Sequence, residues 1–184
     1  VPAAFQGLAV VLLGSLGSFL LLQLFGGSRS RAEGPEARRS VAWFIALSIG
    51  LHNLGEGLAI GAAYAIGEAA LTAFLVIGFM VHNTTEGLAI IAPVAKDRPS
   101  IPTLAGMGAL AGLPTIVGAW VGGFAFTPML ATFFLAVGVG AIAQVLAVLF
   151  QMFARSGASL WRPSIAGGML TGLVLMYVTG LLVG

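Results

Sequence analysis

Six long apolar runs, separated by short polar or Gly/Pro-containing links, constrain this chain more than any other feature. They fall at roughly 3–25, 41–66, 69–93, 101–126, 128–154 and 163–183. A helix needs about 20 residues to cross the ~30 Å of hydrocarbon in a bilayer, and in that medium a helix satisfies all its own backbone groups. The expected fold is therefore all-α: a polytopic membrane helix bundle of six transmembrane helices, with residues 1–184 forming a single transmembrane domain. Composition points the same way. With 59% hydrophobic and 8% charged residues and a mean hydropathy of +1.06, the chain lacks the ~25% charge of a soluble domain.

The links alternate in charge. The first carries Arg29, Arg31, Arg38 and Arg39, the third Lys96 and Arg98, and the fifth Arg155 and Arg162, whereas the links at Gly67–Glu68 and Thr127–Pro128 have no Lys or Arg. Cytoplasmic loops concentrate Lys and Arg, so the basic links are expected inside and both chain ends on the outer side. An error in the number of spans would have broken this alternation. Residues 26–40, rich in Gly, Ser, Arg and Glu, read as a flexible cytoplasmic loop. The net charge of +2 and a pI near 9.7 are spread over short links and form no groove-sized patch, so no nucleic-acid partner is expected. The lipid bilayer is the partner that this composition demands.

The chain has two histidines, and each begins the same pattern: His52-Asn53-Leu54-Gly55-Glu56-Gly57 and His82-Asn83-Thr84-Thr85-Glu86-Gly87. Both patterns lie deep inside apolar runs, where an ionisable group costs at least a few kcal/mol and is by default a functional candidate. His and Glu four apart share one helix face, with the Asn about 100° round from the His. The motifs are also placed symmetrically about the outer turn near Gly67 and Glu68. In an antiparallel hairpin, at ~1.5 Å per residue, His52 and His82 would each lie about 22 Å from that turn and so meet at one depth. Two imidazoles, two carboxylates and two amides converging in lipid are costly unless a cation compensates them. With no cysteine in the chain, any metal must be held by imidazole, carboxylate or amide. That nitrogen and oxygen set suits Zn²⁺, Fe²⁺, Mn²⁺ or Co²⁺ better than Ca²⁺ or Mg²⁺. The bland alternative, polar side chains bonding neighbouring helices together, explains one motif more easily than two that hold every histidine at matched depth.

Other polar and small residues have structural readings. Glu68 is expected to be a solvated loop charge, and Gln144 and Gln151, seven apart on one face of the fifth helix, to bond across helices. Pro114 and Thr115 mark an expected break or kink in the fourth helix. The spacings Gly57/Gly61, Gly108/Gly112, Gly118/Gly122 and Gly168/Gly172 signal close helix approach.

The paired motifs resemble those of the ZIP family of divalent-metal transporters, whose fourth and fifth helices carry H-N-x-P-E-G patterns. The closing stretch from Gly172 to Leu182 is similar to the family's last helix. The resemblance implies that this chain supplies helices three to eight of an eight-helix fold, with the first two helices missing. It also implies His52, Glu56 and Glu86 as core metal ligands, His82 as a further ligand, and Asn53 and Asn83 at an adjacent second metal position bridged by both glutamates. Gly55 and Thr85 replace the motif prolines. Thr115 stands where many relatives carry a glutamate, so the second position is expected to be weak or absent. Val148-Leu149 replaces an acidic pair, and the family's histidine-rich loop is not present.

The same resemblance implies transport of divalent transition-metal cations (Zn²⁺ first, with Fe²⁺, Mn²⁺, Co²⁺ and Cd²⁺ as alternatives) by alternating access, in a homodimer of the plasma (inner) membrane. The metal would be the bound substrate, with no catalytic residue and no catalytic cofactor. Two alternatives stay open. One is a static metal-binding or sensing membrane protein. The weaker one is an intramembrane metallohydrolase, for which the H-E-x-x-H motif is absent.

Overall fold

The computed structural model describes residues 3–26, 34–125, 127–157, 159 and 161–183. Among these there are six α-helices and no strand: α1 (Ala3–Gly26), α2 (Pro35–Ala65), α3 (Ala69–Ile91), α4 (Ile101–Phe124), α5 (Pro128–Arg155) and α6 (Pro163–Val183), with a short 3-10 helix (Ala92–Asp97) after α3. Five helices are long and apolar enough to cross a membrane, and a sixth apolar stretch, Pro163–Val178, is shorter. The chain is a membrane protein. Large apolar side chains such as Leu13, Leu24, Trp120, Phe124 and Leu173 face outward, as they would against lipid.

Local chemistry sets the helix ends. Thr127 Oγ1 accepts from Leu130 N–H at 3.2 Å and Ser100 Oγ accepts from Thr103 N–H at 3.4 Å, each with a proline in the first positions of the helix that follows. A hydroxyl cap satisfies an orphan donor, and the preset φ of proline suits a first turn. Pro35 similarly starts α2 six residues before the expected boundary at Val41. Residues 35–40 of the expected flexible loop are therefore helical, and Arg38 is held there by a two-pronged ion pair with Asp97 (Nε to Oδ2 2.8 Å). Residues 27–33 of that loop, with Arg29 and Arg31, lie outside the described residues.

The helix at the centre is α2, which packs on α3, α4 and α5. Glycine makes its crossing with α4 possible. A Cβ at Gly57 would run into the Thr115 carbonyl oxygen, one at Gly61 into that of Ala119, one at Gly118 into that of Leu54 and one at Gly122 into that of Leu58. Facing positions rise together along the two helices, so they run parallel with backbones in contact, and both Gly-x-x-x-Gly spacings are used. Gly108, Gly112, Gly168 and Gly172 have the same spacing but open space where a Cβ would stand.

Pro114 does not end α4, which continues as one helix to Phe124. Its missing N–H frees the carbonyl of Leu110, one turn earlier. That carbonyl lies against Gly50 of α2, where any Cβ would collide with it, and the next carbonyl, of Ala111, accepts the Asn53 side-chain N–H at 3.0 Å. The carbonyls of α4 one turn before Pro114 are thus received by α2. On the other side α1 packs along α5, with Ser18 Oγ donating to the Val137 carbonyl at 2.9 Å, and α6 rests on α3.

Candidate metal centre

α2 and α3 form an antiparallel hairpin closed by Gly67, whose φ of 82° favours glycine. The two His/Glu pairs therefore arrive at one level, about 20 Å from the turn by helical rise. That level lies well within spans long enough to cross a membrane.

Five of the six expected residues converge. His52 Nε2 lies 3.2 Å from Glu56 Oε1 and 3.6 Å from Glu86 Oε1, and His82 Nε2 contacts Glu56 Oε1 directly. Donor atoms of His52, Glu56 and His82 all lie within 4.8 Å of one another. Asn83 adds a bond from its side-chain N–H to Glu56 Oε2 at 3.2 Å. Glu56 is thus shared by both helices and is only 5% exposed. Asn53 stands apart. Being about 100° round the helix from His52, it turns to α4 and the Ala111 carbonyl, with its own Oδ1 buried and unpartnered.

The motifs alone could not reveal what orients His52. Its Nδ1 lies 3.2 Å from the carbonyl oxygen of Gly138 on α5. A carbonyl can only accept, so Nδ1 is the nitrogen that donates there and Nε2 is the one that points at Glu56 and Glu86. Metal-binding imidazoles are characteristically fixed in this way through their other ring nitrogen. The partner is a backbone group, so no residue type could signal it. The only trace is the glycine, because a Cβ at position 138 would come within 3.3 Å of His52 Nδ1.

The arrangement has a chemical consequence. A neutral His52 would present a lone pair to two carboxylates, three acceptors with nothing to share. Such a set needs a proton or a metal cation between its members. Glu86 Oε2 and Asn83 Oδ1 are also buried without partners, so acceptor oxygens remain in excess around the cluster. The donor set of two imidazole nitrogens and carboxylate oxygens, with no sulfur, fits a borderline divalent ion. Among the described residues Gly55 backs the site against the Phe134 carbonyl of α5, at 3.1 Å from a would-be Cβ. Thr115 meets α2 through its backbone at Gly57. A cavity of about 120 Å³ lined by Val81, His82, Thr85, Gly172, Leu175 and Met176 lies between α3 and α6.

Compared with protein-family models, with curated proteins and with solved structures, the chain matches none.

Proposed function

We propose that this chain carries divalent transition-metal cations across a membrane, Zn²⁺ foremost, through the His52/Glu56/His82/Glu86 cluster. One observation carries the reading: two imidazole nitrogens and a shared carboxylate converge from two helices within 4.8 Å, deep in membrane-length spans. The cation is the substrate, and the cluster is its stopping place. Ionisable clusters at such depth mark ion pathways by their cost alone, and sites near the bilayer midplane are the general pattern of transporters.

The paired H-N-x-x-E-G motifs favour a ZIP-like arrangement, with α1 to α6 as helices three to eight of that fold. Basic links at Arg38/Arg39, Lys96/Arg98 and Arg155/Arg162 support a cytoplasmic placement for their end of the bundle, with both ends of this chain outside, in the plasma membrane, and two copies forming a dimer. In this mechanism α2, α3 and α4 move together against α1 and α5. The glycine-locked crossing of α2 with α4 makes them one body, and the interface with α5, where Gly138 meets His52 and Gly55 meets Phe134, is the sliding surface. Movement there would break the Gly138 bond to His52 and loosen one ligand as the site changes sides.

Thr115, which brings no carboxylate to the site and meets α2 through its backbone, favours a second reading, in which the ion is held without being moved. Uptake of radioactive zinc into proteoliposomes separates the two. The natural chain should take up zinc, and His52→Ala and Glu86→Ala should not, at matched reconstitution. Zinc bound by the natural chain with no uptake would establish the static reading.

A further inference from the structure

Gln144 on α5 is fully buried, and neither head atom of its carboxamide has a hydrogen-bond partner. The expected bond across helices is not made. Leaving such a group unsatisfied in a low-dielectric interior is costly, and Leu would fill the same space without that cost. The position therefore calls for a visiting polar group.

Its place in the fold says which. α5 runs antiparallel to α2, with Phe134 at Gly55 and Gly138 at His52. Gln144 lies six residues beyond Gly138, about 9 Å from the His52 level toward the basic end of the bundle. Ser48, one turn from His52 in the same direction, is also fully buried, and it donates to the Phe44 carbonyl, so its oxygen is left free to accept. A third group comes from α1. Gly14 faces Ala136 and Ser18 faces Gly140 with one constant offset, and Gln23 and Gln144 are separated by one residue less. The two glutamines therefore lie level on parallel neighbouring helices, and Gln23 Oε1 is likewise buried and unpartnered.

We propose that Gln144, with Gln23 at the same level on α1, is a neutral transit station that accepts a partly hydrated divalent cation moving between the His/Glu cluster and the basic end of the bundle. This rests on the transport reading. The carboxamide oxygens take the cation, and the Gln144 amide N–H groups donate to a water that travels with it. Neutral oxygen ligands suit the task, because conduction needs a stop favourable enough to enter and weak enough to leave. A carboxylate at this depth would hold the ion instead.

The test uses the full chain, with zinc as the probe. Gln144→Glu should bind one equivalent of zinc more than the natural chain in calorimetric titration, because the transient stop becomes a trap. Gln144→Leu should retain the natural stoichiometry and melt no lower than the natural chain. Its zinc uptake should nevertheless fall about tenfold, equivalent to about 1.4 kcal/mol. Gln144→Asn, which keeps the amide, should recover most of the uptake. Unchanged stoichiometry in Gln144→Glu, or undiminished uptake by Gln144→Leu, would overturn the station. Loss of uptake with a matching loss of stability would show a structural glutamine and overturn it as well. Silence of the natural chain itself would overturn the transport reading, and the transit role with it.

Discussion

Adding a methyl group at position 57 or at position 112 is the same change to the same kind of glycine spacing, yet the structure demands opposite outcomes. At Gly57 the new Cβ would lie far inside van der Waals contact distance of the Thr115 carbonyl oxygen, with the Thr115 Cα also within 2.9 Å. These are backbone atoms and cannot swing aside. Non-bonded heavy atoms settle at about 3.5 Å, so α2 and α4 must separate by about 1 Å. Overpacking of this kind costs about 1–3 kcal/mol. At Gly112 nothing lies within 4 Å of the added carbon, and Ala improves on Gly in a helix by about 0.5–1 kcal/mol. The helix gain is common to both variants, so Gly57→Ala should fall below Gly112→Ala by the overpacking cost, about 1–3 kcal/mol, or about 2–12 °C in midpoint for a chain of this size. Thermal unfolding in one detergent, with Gly118→Ala as a second crossing variant and Gly108→Ala as a second open one, measures it. Zinc affinity should fall only in the crossing variants, since separating the helices also breaks the Asn53 bond to Ala111 beside Glu56. Equal midpoints for Gly57→Ala and Gly112→Ala would refute the parallel glycine crossing and the position it gives to Glu56.

Other substitutions read the site itself. Glu56→Gln removes the carboxylate shared by both histidines and should abolish zinc binding in titration, with Glu86→Gln weakening it. Gly138→Ala leaves every donor in place but crowds His52 Nδ1, so zinc affinity should fall about 10–100-fold, the usual effect of disturbing a ligand's outer partner. Thr115→Glu should raise zinc stoichiometry if its carboxylate reaches the unpartnered oxygens of Asn83 and Glu86, and a calorimetric titration counts the sites. Asp97→Asn breaks a solvent-screened ion pair with Arg38 and should lower the midpoint only slightly, with the difference from the natural chain fading in high salt.

The helix count, every span within a few residues except the start of α2, and the His/Glu pairs were legible in the sequence because each depends on local pattern. A helix in lipid must satisfy its own backbone, so length and hydropathy suffice to find it. Motifs placed symmetrically about a short turn must meet at one depth, and His52, Glu56, His82 and Glu86 do. Which side chains then share a partner depends on neighbours distant in sequence. The pattern could not say that Asn53 would turn to the Ala111 carbonyl of α4, while Asn83 stayed with Glu56. Nor could it separate Gly57/Gly61 and Gly118/Gly122, which touch backbone, from Gly108/Gly112, which touch nothing within 4 Å. The start of α2 at Pro35 shows the same division, because Arg38 is a loop charge until Asp97, brought round by the turn after α3, gives it a helical place.

By itself, then, the sequence determined an all-helical membrane chain and the chemistry of its buried His and Glu side chains, since both depend on residue types at short range in a medium without water. Only the tertiary structure decided which of these side chains converge, that the Gly138 carbonyl aims His52 at them, and that Gln144 is buried without a partner. Those outcomes depend on the crossing of helices far apart in the chain, where a single missing Cβ sets how closely two backbones can approach.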